Sequence, residues 1–239
     1  MLKLQNISWV LPRGEEILKD VSLTVHKGKL TVITGPNGGG KTSLAKIIAG
    51  LEKPTSGRIF LDEEDITDLD TTVRAQKGIS YAFQQPVRFK GLSVRDLLEL
   101  SAGKKLRESD YCDLLGSVGL CAHDYIDREV NASLSGGEIK RIEIATVLAR
   151  NTRLSVFDEP EAGIDLWSFS GLIDVFQKQK QSGEHSMLII SHQERILQIA
   201  DEIIVVADGK VRTTGSKEQV LPSLLEGEKV NQCPLGKEV

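Results

Sequence analysis

Cysteine is scarce in this 239-residue chain: there are three, Cys112, Cys121 and Cys233, with no C-x-x-C spacing. An odd and scattered set argues against a disulfide framework or a zinc site, and it fits a reducing, cytoplasmic compartment. Long apolar runs are missing too. Met187 to Ile190 and Ile203 to Ala207 are of strand length, far below the roughly 20 residues of a membrane helix, so any membrane role has to come through a partner chain. The stretch from Met1 to Ser8 alternates apolar and polar residues like a half-buried strand and lacks the apolar centre of an export signal. Positive charge is not in excess: 30 basic against 34 acidic residues give a net charge of -4, so nucleic acid is not an expected partner. No internal repeat and no low-complexity segment stands out.

What is there suffices for one large domain. With 40% hydrophobic residues the chain can fill a core, and its length leaves no room for a separate regulatory domain. The N-terminal part reads as β-rich: Leu2 to Val10, a turn at Pro12-Arg13-Gly14, then Ile17-Leu18 and Val21 to Val25, with further short strands at Ser56 to Leu61 and Gly78 to Phe83. From about Gln85 to Ser133 the spacing turns helical, as in Val94 to Leu100 and Asp110 to Val118, and β-branched runs vanish. Strand and helix alternate again from Leu134, with Leu154 to Phe157, Met187 to Ile190 and Ile203 to Val206 as buried strands of a parallel sheet. The stretch from about Pro222 reads as a short polar tail.

The most informative stretch is Gly35-Pro36-Asn37-Gly38-Gly39-Gly40-Lys41-Thr42. The apolar strand Leu30 to Ile33 enters it, and a helix with Ser43 in its first turn leaves it. Glycines let successive backbone N–H groups converge on an anion, and the positive end of the helix points at the same place. The pattern is a phosphate cradle, in which Lys41 is placed for the β- and γ-phosphates of a nucleotide and the Thr42 hydroxyl for Mg2+.

Two further blocks carry chemistry. Leu154-Ser155-Val156-Phe157 runs into Asp158-Glu159. Strand C-termini are where ligands sit in open α/β sheets, so Asp158 is placed to hold Mg2+ and Glu159 to polarise a water against the γ-phosphate. Leu134-Ser135-Gly136-Gly137-Glu138 opens a helix whose Ile139, Ile142, Ala145, Leu148 and Ala149 repeat at three- and four-residue spacing, which sets Lys140, Arg141 and Arg150 on the outward face. Ser135, Gly136 and Gly137 there form a second anion site at a helix N-terminus, which on its own is also compatible with a plain capping box.

In these three blocks, in their order and in their spacing, nearly the whole chain resembles the nucleotide-binding domain of an ATP-binding cassette (ABC) ATPase. Gly35 to Thr42 matches Walker A, Leu134 to Glu138 the LSGGE signature, and Leu154 to Glu159 Walker B with the catalytic glutamate. The resemblance implies an α/β P-loop NTPase fold with an N-terminal antiparallel β subdomain and a helical insert. It sets a core of about residues 1–84 and 134–221, an insert of about 85–133 and a tail of about 222–239. It implies that Gln84 is the Q-loop glutamine that senses Mg2+, that Asp165 in Ala162-Gly163-Ile164-Asp165 belongs to the D-loop along a partner subunit, and that His192 is the switch histidine on the γ-phosphate. Trp9 lies where the family stacks an aromatic residue on adenine. It further implies ATP and Mg2+ as ligands, and a head-to-tail dimer in which Ser135 and Gly137 of each copy complete the other's site.

Within the family the chain is similar to SufC-type ATPases of iron-sulfur cluster assembly. The similarity lies in Gly57 to Asp62, Glu64 to Leu69, Ala82 to Pro86, Gly91 to Arg95, Arg128 to Asn131 and Gln193 to Leu197. It departs from them at Leu134, Pro160-Glu161-Ala162 and Ser191-His192-Gln193, and in the short insert. The expected partner is therefore a soluble iron-sulfur scaffold protein, with a transmembrane permease of an ABC transporter as the alternative, at which the chain would sit peripheral to the inner membrane.

Overall fold

A computed structural model describes residues 1–131 and 133–230, the last five as backbone alone, so Cys233 lies outside the described residues. Cys112 and Cys121 are free and exposed.

Two sheets enclose the helix that leaves the cradle. β1 (Leu2–Val10) pairs antiparallel with β2 (Glu16–Val25) and with β4 (Ser56–Leu61), and β5 (Glu64–Asp65) adds the far edge. Along β1, Leu2, Leu4 and Ile7 are buried, with more accessible residues between them, so that only one face meets the core. The second sheet contains β3 (Leu30–Thr34), β6 (Ile79–Ala82), β7 (Leu154–Asp158), β8 (Ser186–Ile190), β9 (Glu202–Ala207) and β10 (Lys210–Ser216). Its order is β10-β9-β3-β8-β7-β6, parallel throughout except for the β9–β10 pair.

Every residue of β3, β7 and β8 is buried, as a parallel sheet covered on both faces requires. Alternation divides them between two cores. Val32, Phe157 and Ile189 face one, with the helices; Ile33, Val156 and Leu188 face the other, with β1, β2 and α1 (Lys41–Ala49). Leu44, Ala45, Ile47 and Ile48 of α1 all belong to this second core.

The remaining helices are α2 (Thr71–Gln76), α3 (Val94–Ala102), α4 (Glu108–Ser117), α5 (Ala122–Tyr125), α6 (Gly136–Ala149), α7 (Leu166–Ser182), α8 (Glu194–Ile199) and α9 (Lys217–Val230). α3 and α4 pack on α6. Their apolar residues Val94, Leu98, Tyr111 and Leu115 form one cluster with Ile139 and Ile142 of α6 and Phe157 of the sheet.

The α/β class, the N-terminal antiparallel sheet and the helical insert all stand as expected. Two local readings change. β2 is one strand rather than two short ones: Asp20 adopts φ 56°, and its N–H donates to Ser8 Oγ (3.0 Å), which mends the ladder across an irregular register. The stretch after Pro222 is not a tail at its start, because α9 runs through that proline to Val230.

The buried guanidinium of Arg74 (1% exposed) donates to the carbonyls of Ile47 and Ile48 at the end of α1 and to those of Thr67 and Leu69. The first two are among the carbonyls that a helix end leaves without intrahelical i+4 partners. The positively charged side chain thereby clamps the C-terminus of the cradle helix.

Candidate functional site

The loop from Gly35 to Gly40 folds as the motif demands. At Gly35 the backbone takes φ 134°, and a Cβ would fall 2.1 Å from the carbonyl oxygen of Val206 on β9, so only glycine fits. α1 then starts at Lys41 behind Gly40, with no side chain capping its first turn. Its early N–H groups are left as donors for an anion. Lys41 is 6% exposed, and its Nζ donates to the carbonyls of Gly35 (2.8 Å) and Pro36 (2.9 Å). Burial pushes its ammonium below the usual pKa, against the opposing pull of Glu159 and Asp158.

A cavity of about 370 Å3 opens here, lined by Ile17, residues 37–43, Gln84 and Glu159. Thr42, Ser43, Asn37 and the glycines thus share it with two of the three expected catalytic residues. Gln84 Nε2 donates to Glu159 Oε2 over 2.8 Å. Glu159 itself has φ 46°, a left-handed conformation that costs a non-glycine residue of order 1–3 kcal/mol and is typical of functional positions.

Asp158 ends β7 fully buried (0% exposed). Thr42 Oγ1 donates to its Oδ1 (3.1 Å) and Tyr81 Oη to its Oδ2 (2.9 Å). Burial raises the Asp158 pKa, while the Tyr81 and Thr42 hydroxyls act the other way. Burial, then the Asp158 charge, raises that of Tyr81, which keeps the phenol a donor. Hydroxyl, carboxylate and amide oxygens from Thr42, Asp158 and Gln84 form a hard donor set that fits Mg2+. Among the described residues no group of three or more His, Cys, Asp or Glu side chains forms a metal cage.

His192 follows β8 on an exposed loop. The preceding Ser191 donates to Glu161 Oε1 (2.6 Å) and accepts from the N–H of Gln193 (3.0 Å), which sets the path of that loop. Glu161 is raised in pKa by burial, with His192 among the charges that lower it. Sequence reasoning named Glu161 only as a departure from a family pattern; its proline-flanked place beside the acidic strand end was the available signal.

Other expected residues lie elsewhere. Trp9 pairs with Leu18 across β1–β2 and packs against the second core, so it does not line this cavity; the apolar wall comes from Ile17, because β2 and not β1 abuts the loop at Gly40. Ser135 caps α6, its hydroxyl accepting from the Glu138 N–H while the Glu138 carboxylate accepts from the Ser135 N–H. Gly136 and Gly137 follow in the first turn of α6, and a Cβ on Gly137 would come within 2.8 Å of the Gly163 carbonyl, so signature and D-loop touch. Asp165 caps α7, accepting from the N–H groups of Trp167 and Ser168. Neither Ser135 nor Asp165 enters the cavity of its own chain. A larger cavity of about 650 Å3, between Asp62, Lys77 and Arg153, contains none of the motif residues.

A glycine-rich strand-to-helix loop facing two carboxylates at the end of a parallel strand defines a P-loop nucleoside triphosphatase. The comparisons with known proteins narrow the class. A family model described as ABC transporter matches residues 18–162. An uncharacterized ABC transporter ATP-binding protein of Methanocaldococcus jannaschii is 38% identical over 92% of this chain and 90% of its own length. The lipopolysaccharide export system ATP-binding protein LptB of Escherichia coli K12 is 32% identical over 95% and 93%. Among solved structures, a post-hydrolysis dimer of an ATP-binding cassette bound to ADP and Pi superposes with a TM-score of 0.82 at 26% identity, covering 91% of this chain and 99% of that one. The chain therefore belongs to the ABC transporter family. It is an ATP-binding subunit of an ABC-type complex and hydrolyses ATP with Mg2+.

Proposed function

We propose that the chain is the ATPase subunit of an ABC membrane transporter, working as one of two copies placed head to tail. The observation that carries this reading is the convergence of Gln84 and Glu159, at 2.8 Å, on the cradle cavity, while the signature stands outside it. Lys41 and the loop N–H groups hold the β- and γ-phosphates, Glu159 accepts a proton from the attacking water, and His192 contacts the γ-phosphate. Thr42, Asp158 and Gln84 would hold Mg2+, which when bound would supply positive charge against the phosphates. Ser135, Gly136 and Gly137 of one copy, with Asp165 beside them, complete the site of the other. Contacts made only while the γ-phosphate is present tie closure of the pair to ATP and opening to hydrolysis.

A groove beside Gln84 supports a membrane partner. A cavity of about 150 Å3 lies between Phe83, Val87, Phe89, Leu97 and Ile142, and Val87 and Phe89 stand about 40% exposed at its edge (42% and 41%). A short partner helix can lay an apolar face there. Residues 85–133 act in this reading as the partner-selecting insert on a core of residues 1–84 and 134–221. Among the described residues no helix is long and apolar enough to cross a membrane, so contact with the bilayer runs through the partner. The relatives reported above carry transporter names, and they lend no support to a SufC-type role with an iron-sulfur scaffold; the transporter reading replaces that expectation.

Capture of a tagged Glu159→Gln chain with ATP from detergent-solubilised native cells tests this. A polytopic membrane protein should co-purify in amounts comparable to the chain. Recovery of a soluble scaffold protein, with no membrane protein, overturns the transporter assignment.

A further inference from the structure

Tyr81 belongs to none of the three motif blocks, yet its hydroxyl touches the carboxylate at the centre of the site. β6 and β7 run parallel with Tyr81 opposite Val156, which brings the Tyr81 phenol alongside Asp158 two residues further on. The hydroxyl donates to Asp158 Oδ2 over 2.9 Å, and Asp158 Oδ1 accepts from Thr42 over 3.1 Å. Each oxygen of this buried carboxylate therefore has its own hydroxyl, one from the cradle helix and one from the neighbouring strand.

The torsion that rotates a carboxylate about its stem has a broad, shallow profile. A single bond from Thr42 leaves that rotation loosely set, and the second bond fixes it. The Tyr81 ring is in turn held in place, edge-on to Phe83 with centroids 4.9 Å apart and planes at 87°, along the wall of the apolar groove. Its rotamer is thus determined by packing that does not depend on the metal.

We propose that Tyr81 is a positioning residue for the Mg2+ site: its hydroxyl holds Asp158 so that Oδ1 stays directed at the Thr42 hydroxyl, where the ion is to be bound. Groups that orient a ligand from outside the coordination sphere change metal affinity by typically 10–100-fold when removed. The rival explanation is that Tyr81 only fills space beneath the groove.

Tyr81→Phe separates the two, since it deletes one oxygen and keeps the ring. Nucleotide affinity is measured by calorimetry in EDTA and in Mg2+, and Mn2+ binding with a non-hydrolysable ATP analogue is followed by electron paramagnetic resonance. The affinity in EDTA should stay within about twofold of the parent, whereas the Mn2+ dissociation constant should rise about tenfold or more. The Mg2+ concentration for half-maximal ATPase should rise in parallel, with turnover at saturating Mg2+ largely kept. An unchanged Mn2+ dissociation constant overturns the proposal. So does an equal loss of nucleotide affinity with and without the ion, which is the signature of packing alone.

Discussion

Gln84 and Glu159 lie at the ends of parallel segments that never pair directly after Ala82, yet the Gln84 amide reaches the Glu159 carboxylate at 2.8 Å. The bond joins the start of the insert to the base proposed for hydrolysis. Any displacement of the insert that moves Gln84 is felt first at that carboxylate.

Glu159→Gln keeps the shape and the hydrogen-bonding reach of the side chain but removes its basicity. Turnover should fall by about 100-fold or more, the range for loss of a general base, while ATP affinity measured by calorimetry is retained. Size-exclusion chromatography with ATP should show a stable dimer. Parental ATPase activity in this variant contradicts the assignment of Glu159.

Arg74 gives a stability prediction. Arg74→Ala strips donors from four carbonyls, at the end of α1 and in the loop before α2. It should lower the unfolding free energy by about 2 to 3 kcal/mol, because a buried acceptor left unpaired costs roughly 1 to 3 kcal/mol; that applies in full to Ile48, since Ile47 keeps the Gly50 N–H and the Thr67 and Leu69 carbonyls are only partly buried. Arg74→Lys should recover less than half of that, since an ammonium cannot span the four acceptors as a guanidinium fork does. An unchanged urea midpoint for Arg74→Ala counts against the clamp.

Lys140 on α6 is completely buried and donates to the backbone carbonyl of Phe83, with that of Gln84 at 3.4 Å. Glu143, one turn on, accepts from the Phe83 N–H (2.8 Å); its other oxygen has no hydrogen bond but lies 3.3 Å from Lys140 Nζ. The helix that begins at the signature thus grips the backbone next to Gln84. Removing one charge leaves the other buried and unpaired, so Lys140→Met should cost about 3 to 5 kcal/mol. The double variant Lys140→Met/Glu143→Leu should recover a large part of it. A double-mutant cycle with coupling near zero refutes the pair.

The pH response of the signature cap follows from Glu138. Bonds from the Tyr125 hydroxyl, then from Ser135, hold its pKa down at about 2, against about 4.3 in an unfolded chain. A depressed folded pKa contributes stability above the unfolded value, and that contribution fades as pH falls from about 4.3 towards 2. Thermal melts of the parent and Glu138→Gln should therefore differ most near pH 7, with the gap falling to about half by pH 3 and closing only as the pH approaches 2. A gap that widens on acidification excludes this account.

The phosphate cradle was legible in the sequence because its backbone admits so few residue types, Gly35 above all, and the acidic end of β7 because the largely apolar run Leu154, Val156 and Phe157 stops at two adjacent carboxylates. Arg74 was not legible, and Lys140, which helical spacing sets on the outward face, is instead completely buried, since the partners of both are backbone carbonyls that only the tertiary fold brings near. Ile17 escaped for the same reason: its apolar side chain reads like any strand residue, whereas its place beside Gly40 depends on how β2 meets the loop. α9 was hidden by Pro222 and by a sparse apolar pattern whose anchor, Val220, is identified only by its burial. Partner choice lies in surface residues of the insert, which local periodicity does not constrain.

The apolar cluster that Val94, Leu98, Tyr111 and Leu115 share with Ile139, Ile142 and Phe157 has a practical corollary. The segment between Gln85 and Ser133 meets α6 through this apolar cluster, with Tyr125 and Arg128 reaching the Glu138 carboxylate at its edge. A chimera that grafts this segment from a relative will have to import the matching face of α6 as well, or leave a hole where the two pack together.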